Sequence, residues 1–168
     1  LNDVRAVPTL IAALSNDWLA TRCQAARALG RLKDGRALIP LETTLSNPEI
    51  DFALREAAAE ALGDLGDRRA VPTLKEALTR ESIWHVCKAA ADSILVLEEG
   101  DALPTLLSIL DRAGTMGLLA AIRTLAVLGD ERAVEPLSLL LSTSEADRVH
   151  QAATEAIARL QGRDFRPQ

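Results

Sequence analysis

Small apolar residues recur along this chain at helical spacing. Ala25, Ala26, Leu29 and Leu32 make one such stripe, and Ala58, Ala61, Leu62 and Leu65 make another. That period marks an amphipathic helix with one face turned inward. The organising stretch is Arg55 to Leu78, REAAAEALGDLGDRRAVPTLKEAL. It reads as the second half of one helix, a Gly-Asp turn, and a further helix with Pro72 in its first turn. Proline is tolerated there because first-turn amides have no intrahelical partner.

The unit repeats. Pro8, Pro40, Pro72, Pro104 and Pro136 stand a constant 32 residues apart. Around them lie RAVPTLIAAL from Arg5, RALIPLETTL from Arg36, RAVPTLKEAL from Arg69, DALPTLLSIL from Asp101 and RAVEPLSLLL from Arg132. A second phrase alternates with the first: AARALGRL from Ala25, AAAEALGDL from Ala57, AADSILVL from Ala90, AIRTLAVLGD from Ala121 and AATEAIARL from Ala152. Asp3, Asp34, Asp67 and Asp130 precede the first helices and are placed to cap their free amides. One helical hairpin cannot bury its own apolar face, so the repeats must stack. The many alanines permit interaxial distances within the roughly 8–10 Å of packed helices.

These phrases resemble HEAT repeats, and more narrowly the short bacterial type named after phycobilisome lyases, with its AVPxLxxAL and RxxAAxALGxLGD signatures. The resemblance covers nearly the whole chain. It implies an all-α, right-handed α-α superhelix, a HEAT-like solenoid of about five helical hairpins. The expected single domain is 1–168, with repeats at 3–33, 34–66, 67–99, 100–129 and 130–161 and a tail at 162–168. Because Leu1-Asn2-Asp3 aligns with Leu65-Gly66-Asp67, the chain reads as a fragment of a longer array or one that lacks a cap. In HEAT repeats an Asp before the second helix and an Arg within it form a ladder between repeats. Asp17 with Arg22, and Asp51 with Arg55, resemble that pattern, while Cys87, Leu118 and His150 take the Arg place in later repeats.

Composition narrows the function. The net charge of -5 weighs against a phosphate backbone as the main partner, so no nucleic acid is expected. No apolar run is long enough to span a bilayer, so no membrane is expected either. Cys23 and Cys87 lie two repeats apart, about 20 Å at usual helix spacing. That is too far for a disulfide, and free thiols fit a reducing, cytoplasmic setting.

By analogy with other HEAT solenoids, the second helices line the concave side. Aligning the repeats gives three columns there: Cys23, Glu56, Lys88, Leu119 and Gln151; Arg27, Glu60, Asp92, Arg123 and Glu155; and Arg31, Asp64, Val96, Val127 and Arg159. Residues four apart share a helix face, so the columns lie side by side. The candidate partner-binding residues are Arg27, Arg31, Glu56, Glu60, His85, Lys88, Asp92, Arg123, Gln151 and Glu155. Two readings stand together. Arg27 with Glu60, and Asp92 with Arg123, form surface ion pairs worth about 0–1 kcal/mol each, or the columns form a mixed-charge groove for a helix or tail of another protein.

Trp18 and Trp84 begin second helices and serve either as interface anchors or as plugs between hairpins, plugging being favoured for Trp84. His85 and His150 have no metal-ligand spacing, and no metal or other cofactor is expected. Gly114 and Gly117 bracket the start of the fourth repeat's second helix, read as a shortened loop, a bend in the stack or a place where a partner approaches. Leu139 takes a convex position held elsewhere by Ala12, Thr43, Glu76 and Ser108, and Phe165 is expected to fold over it, a contact with another subunit being the second reading.

The sequence contains no catalytic constellation. It is read as a non-enzymatic scaffold or adaptor that holds another protein, with self-association through exposed terminal repeats as a further route. The alternative, implied by the repeat type, is a subunit of a bilin lyase or a chromophore-binding HEAT protein. Arg27, Arg31, Lys88 and Arg123 would supply charge for propionates, but aromatic walls are scarce. Deoxyhypusine hydroxylase relatives carry His-Glu pairs for iron, whereas Val86 follows His85 and Gln151 follows His150. The HEAT-like DNA glycosylases are basic, and this chain is acidic.

Overall fold

The computed structural model describes residues 3–99, 101–144 and 146–162. Among them are ten α-helices and no strand. In chain order these are α1 (Val7–Ala13), α2 (Leu19–Leu32), α3 (Leu38–Ser46), α4 (Phe52–Leu65) and α5 (Val71–Arg80). They continue with α6 (Trp84–Leu97), α7 (Leu103–Leu107), α8 (Thr115–Leu128), α9 (Val134–Thr143) and α10 (Asp147–Leu160). Each odd-numbered helix packs on the even-numbered helix that follows it, which makes five hairpins. Leu1 and Phe165 lie outside the described residues.

Four hairpins open with the same local device. A single 3-10 turn precedes the first helix at Val4–Ala6, Gly35–Ala37, Arg68–Ala70 and Glu131–Ala133. The Asp before each turn accepts the amide two residues on, at 3.0 Å for Asp3, Asp34 and Asp130 and 3.1 Å for Asp67. The caps therefore act one turn earlier than the α-helices themselves. The Arg that supplies that amide also folds its guanidinium back onto the carboxylate, for example Arg36 onto Asp34 at 2.8 Å. The fourth hairpin lacks this clasp, since Asp101 stands in the place of the arginine and Glu99 in the place of the capping Asp, and its α7 is only five residues long.

The even-numbered helices form a continuous row: α2 on α4, α4 on α6, α6 on α8 and α8 on α10. Small residues set the approach. A Cβ at Gly30 would come within 2.7 Å of the Ala61 carbonyl oxygen, and the Ser93 hydroxyl donates to the Ala59 carbonyl at 2.8 Å. Leu29, Leu62, Ile94 and Leu125 fill the space between this row and the first helices, all fully buried. The odd-numbered row is less regular. α3 packs on α5, but α5 leans on α8 rather than on α7. Gly117 lies against the Leu78 carbonyl with no room for a Cβ, whereas Gly114 faces open space. Gly117 thus serves a helix–helix contact.

The Asp–Arg ladder implied by the resemblance is not formed by Asp17 with Arg22 or by Asp51 with Arg55. Asp51 does not pair with Arg55; it caps α4 by accepting the Ala53 amide at 2.8 Å. Arg55 pairs with Glu81 of the next hairpin at 2.8 Å. Asp17 and Arg22 form no ion pair among the described residues, and Arg22 keeps a buried Nε without a partner. Three of the five residues in the column that contains Arg55 hold the loop of their own hairpin, while Arg22 and Leu118 make no such side-chain bond among the described residues. Arg55 Nη1 donates to the carbonyls of Pro48 and Ile50 at 2.9 and 2.6 Å. Cys87 donates its thiol to the Glu81 carbonyl at 3.4 Å. His150 Nε2 meets the Ser144 carbonyl at 2.5 Å, and because a carbonyl only accepts, that nitrogen carries the proton.

Candidate functional site

The ten residues expected at a partner site all lie on the even-numbered helices: Arg27 and Arg31 on α2, Glu56 and Glu60 on α4, His85, Lys88 and Asp92 on α6, Arg123 on α8, and Gln151 and Glu155 on α10. None of them is buried. Their common face follows from sequence spacing, since the inward positions of each helix are taken by Ala and Leu and leave the charged positions outside. Cys23 and Leu119 depart from the expected columns. Each is only 9% and 5% exposed, respectively, and belongs to the core.

The side chains group into bands along the row. Arg27 and Arg31 make a basic band on α2, followed by Glu56, Glu60 and Asp64 on α4. The expected pair between Arg27 and Glu60 forms, at 3.3 Å, with both side chains more than 40% exposed. The expected pair between Asp92 and Arg123 does not. Asp92 instead takes Lys88 of its own helix at 2.6 Å, and this contact raises the Lys88 pKa above its ordinary value. Arg123 lies over the Trp84 ring, 4.8 Å from its centroid. An i,i+4 partner is always in reach on one helix, whereas a partner on the next helix depends on how the two are offset.

A shallow cavity of about 210 Å³ lies between α4 and α6, lined by Glu56, Glu60, Asp64, His85, Lys88 and Asp92 among others. His85 Nδ1 stands 3.9 Å from Glu56 Oε1. Gln151 donates to Glu155 at 2.9 Å on α10. No group of three or more His, Cys, Asp or Glu among the described residues is placed to hold a metal ion. No helix among them is long and apolar enough to cross a membrane.

The two tryptophans separate. Trp18 is 77% exposed, so it plugs nothing. Trp84 is half-buried against the core, the plugging role expected of it, and presents a ring face to Arg123. The Trp84–Arg123 stack was not legible beforehand, although the position of Arg123 in a charged column pointed to its face.

The architecture is that of an α-solenoid of stacked helical hairpins, and the family follows from its repeats. The HEAT repeat family model matches residues 49–115, and the PBS lyase HEAT-like repeat model matches residues 21–47 and 118–143. The chain belongs to the HEAT-repeat proteins, of the PBS-lyase type. No curated protein sequence matches it. Among solved structures it is similar to a chain from the CpcE–CpcF complex of phycocyanin lyase from Nostoc sp. PCC7120, with 28% identity and a TM-score of 0.62. The match covers 93% of this chain and 65% of that one, so this chain spans less than two thirds of that protein's length. Human deoxyhypusine hydroxylase is a more distant match, with 19% identity and a TM-score of 0.44 over 92% of this chain and 73% of that one.

Proposed function

We propose that this chain is one subunit of a bilin-lyase type of assembly, joined to a protein partner through the face of its even-numbered helices. The observation that carries the reading is the likeness to the CpcE–CpcF complex of phycocyanin lyase, at 28% identity over 93% of this chain. The PBS lyase HEAT-like repeats support it independently. A two-protein complex as neighbour supports a protein partner here as well.

The chemistry of the face fits such a role in part. Cationic side chains recognise carboxylates by charge-assisted hydrogen bonds, and a tetrapyrrole carries propionates. Of the four cations, Arg27 and Lys88 are engaged by carboxylates and Arg123 by Trp84. Arg31 is exposed and makes no ion pair among the described residues. Trp84 supplies one flat surface. A second reading, a scaffold without chromophore, is favoured by the carboxylates of Glu56, Glu60, Asp64 and Asp92, which suit a basic helix better than a bilin.

The test uses immobilised chain to capture its partner from native cells, then adds a linear tetrapyrrole bilin to the captured complex. The expected result is a partner-dependent shift in bilin absorbance, lost when Arg27→Glu, Asp92→Arg and Arg123→Glu are combined. A partner released by that triple variant, with no bilin response at any stage, replaces the lyase reading with the scaffold. A partner and a bilin response that both survive the charge reversal overturn the assignment to this face.

A further inference from the structure

The stack is not uniform along its length. Gly30 on α2 and Gly63 on α4 occupy matching places, and each lets the next second helix lie close against its backbone. A Cβ at Gly30 would meet the Ala61 carbonyl at 2.7 Å, and one at Gly63 would meet the Ser93 hydroxyl at 2.5 Å. The matching place on α6 is held by Leu95, and α8 packs on α6 less closely than α6 packs on α4. On the exposed face, Trp84 and Arg123 bridge these two helices. The first-helix side is weakest at the same level. Glu99 and Asp101 stand where other hairpins have the capping Asp and its Arg, so two like charges replace the clasp. Glu99 also has a φ of 43°, in the left-handed region that residues with a side chain rarely enter. Beside it, one oxygen of Glu98 accepts from Thr105 at 3.0 Å, and the other is buried without a donor among the described residues. The five-residue α7 packs chiefly on α8, and a groove of about 600 Å³ opens between it and α9.

We propose that the solenoid flexes at one joint, between its third and fourth hairpins, with α7 as the strap that opens when it does. Hairpins one to three move as one body, and hairpins four and five as another. Local opening begins where packing is sparse and a buried polar group lacks its partner. Both conditions meet at the entry to α7. Leu103, Leu106 and Ile109 are buried there, so the closed joint is the resting state. Opening exposes these side chains, but it also hydrates the stranded Glu98 oxygen and frees Glu99 from its left-handed backbone. The candidate partner face crosses this joint. Glu56, Glu60 and Asp92 lie on the first body, and Arg123, Gln151 and Glu155 on the second. A partner that grips both bodies therefore selects one angle of the joint. The joint is a property of the chain alone, so this inference does not depend on the lyase reading.

Spin-label distances and hydrogen exchange on the whole chain test the joint. Ala12, Glu76 and Leu139 hold matching exposed places on the first, third and fifth hairpins. Cys23 and Cys87 are buried, which leaves nitroxide labels to the introduced cysteines. Ala12→Cys with Glu76→Cys spans two hairpins inside the first body and should give a narrow distance distribution. Glu76→Cys with Leu139→Cys spans two hairpins across the joint and should give a broader one. The Leu106 amide of α7 should exchange roughly tenfold or more faster than the Leu78 amide of α5. Combining Glu98→Gly, Glu99→Asp and Asp101→Arg gives the fourth hairpin the opening of Asp34-Gly35-Arg36. That triple variant should narrow the second distribution and slow exchange in α7. Circular dichroism establishes that each variant is folded. Equal widths for the two label pairs overturn the proposal, as does exchange in α7 no faster than in α5. Faster exchange in α9 than in α7 also overturns it, because the breadth then comes from a fraying end. So does a folded triple variant that leaves both readings unchanged.

Discussion

Arg55 and Glu81 meet across successive hairpins at 2.8 Å, with only 10% and 13% of their side chains exposed. The other oxygen of Glu81 accepts the amides of Ser82 and Ile83, each at 2.9 Å, at the entry to α6. One carboxylate therefore neutralises a buried guanidinium and satisfies the start of the next helix. Removing one member of a buried pair leaves the other charge stranded, a loss of about 3–5 kcal/mol. Glu81→Ala should lower stability by that order in urea unfolding. Adding Arg55→Leu should recover part of the loss, because the stranded charge is then gone. A double variant no better than Glu81→Ala would mean that loop pinning by Arg55, not charge, dominates.

Acid should weaken the hairpin openings within a defined window. Arg36 lies on Asp34 and holds its carboxyl down to about 2. The matching arginines also lower Asp3, Asp67 and Asp130. A depressed folded-state pKa favours the folded chain above the unfolded value of about 3.9. That contribution declines as pH falls below it and is gone under about 2. Urea midpoints should therefore drop between about pH 4 and pH 2, and Asp34→Asn should flatten part of that drop. Because these pairs sit at the surface, added salt should shrink the effect.

The two cysteines should resist thiol reagents while the chain is folded. Burial pushes the Cys87 thiol up to about 12, and the Glu81 carboxylate adds to the shift. Burial raises Cys23 as well. Thiolate is the reactive species, so native protein at pH 8 should label only as fast as it unfolds. Full labelling within the mixing time, without denaturant, would show that the Cys87 site is open.

Glycine contacts between helices give a packing test. A side chain at Gly117 meets the Leu78 carbonyl, and one at Gly30 meets the Ala61 backbone, neither of which can swing aside. Overpacking of this kind costs about 1–3 kcal/mol. Gly117→Ala and Gly30→Ala should each lower the unfolding midpoint by that order. Gly114→Ala, which meets open space, should change it much less. A Gly117→Ala midpoint at or above that of the wild type would show that helix propensity, which favours Ala over Gly, outweighs the contact.

Much of the architecture was legible because it is written in local terms that repeat. Alanine and leucine at helical spacing define each inward face, and Pro72 and Asp67 mark one first-helix start. A hairpin that cannot bury its own face must stack. The same spacing placed Arg27, Glu60, Asp92 and Arg123 on one side of the row, because residue period fixes which face of a helix a side chain occupies. The chain by itself therefore determined the hairpins, their number and the candidate face.

What the sequence left undecided depended on how neighbouring helices slide and tilt against each other. Asp92 chose Lys88 one turn away, and Arg123 went to Trp84. Arg55 found Glu81 from the next loop instead of Asp51 beside it, because Asp51 was already used as a helix cap. Gly117 brought α8 onto α5 at the Leu78 carbonyl, a contact between helices that are not neighbours in sequence. Sequence period sets the rotation of each helix about its own axis, but offset and tilt between helices come from many weak contacts summed at once. Those contacts exist only in the folded stack, and they alone decided which charges pair and which cavity stays open.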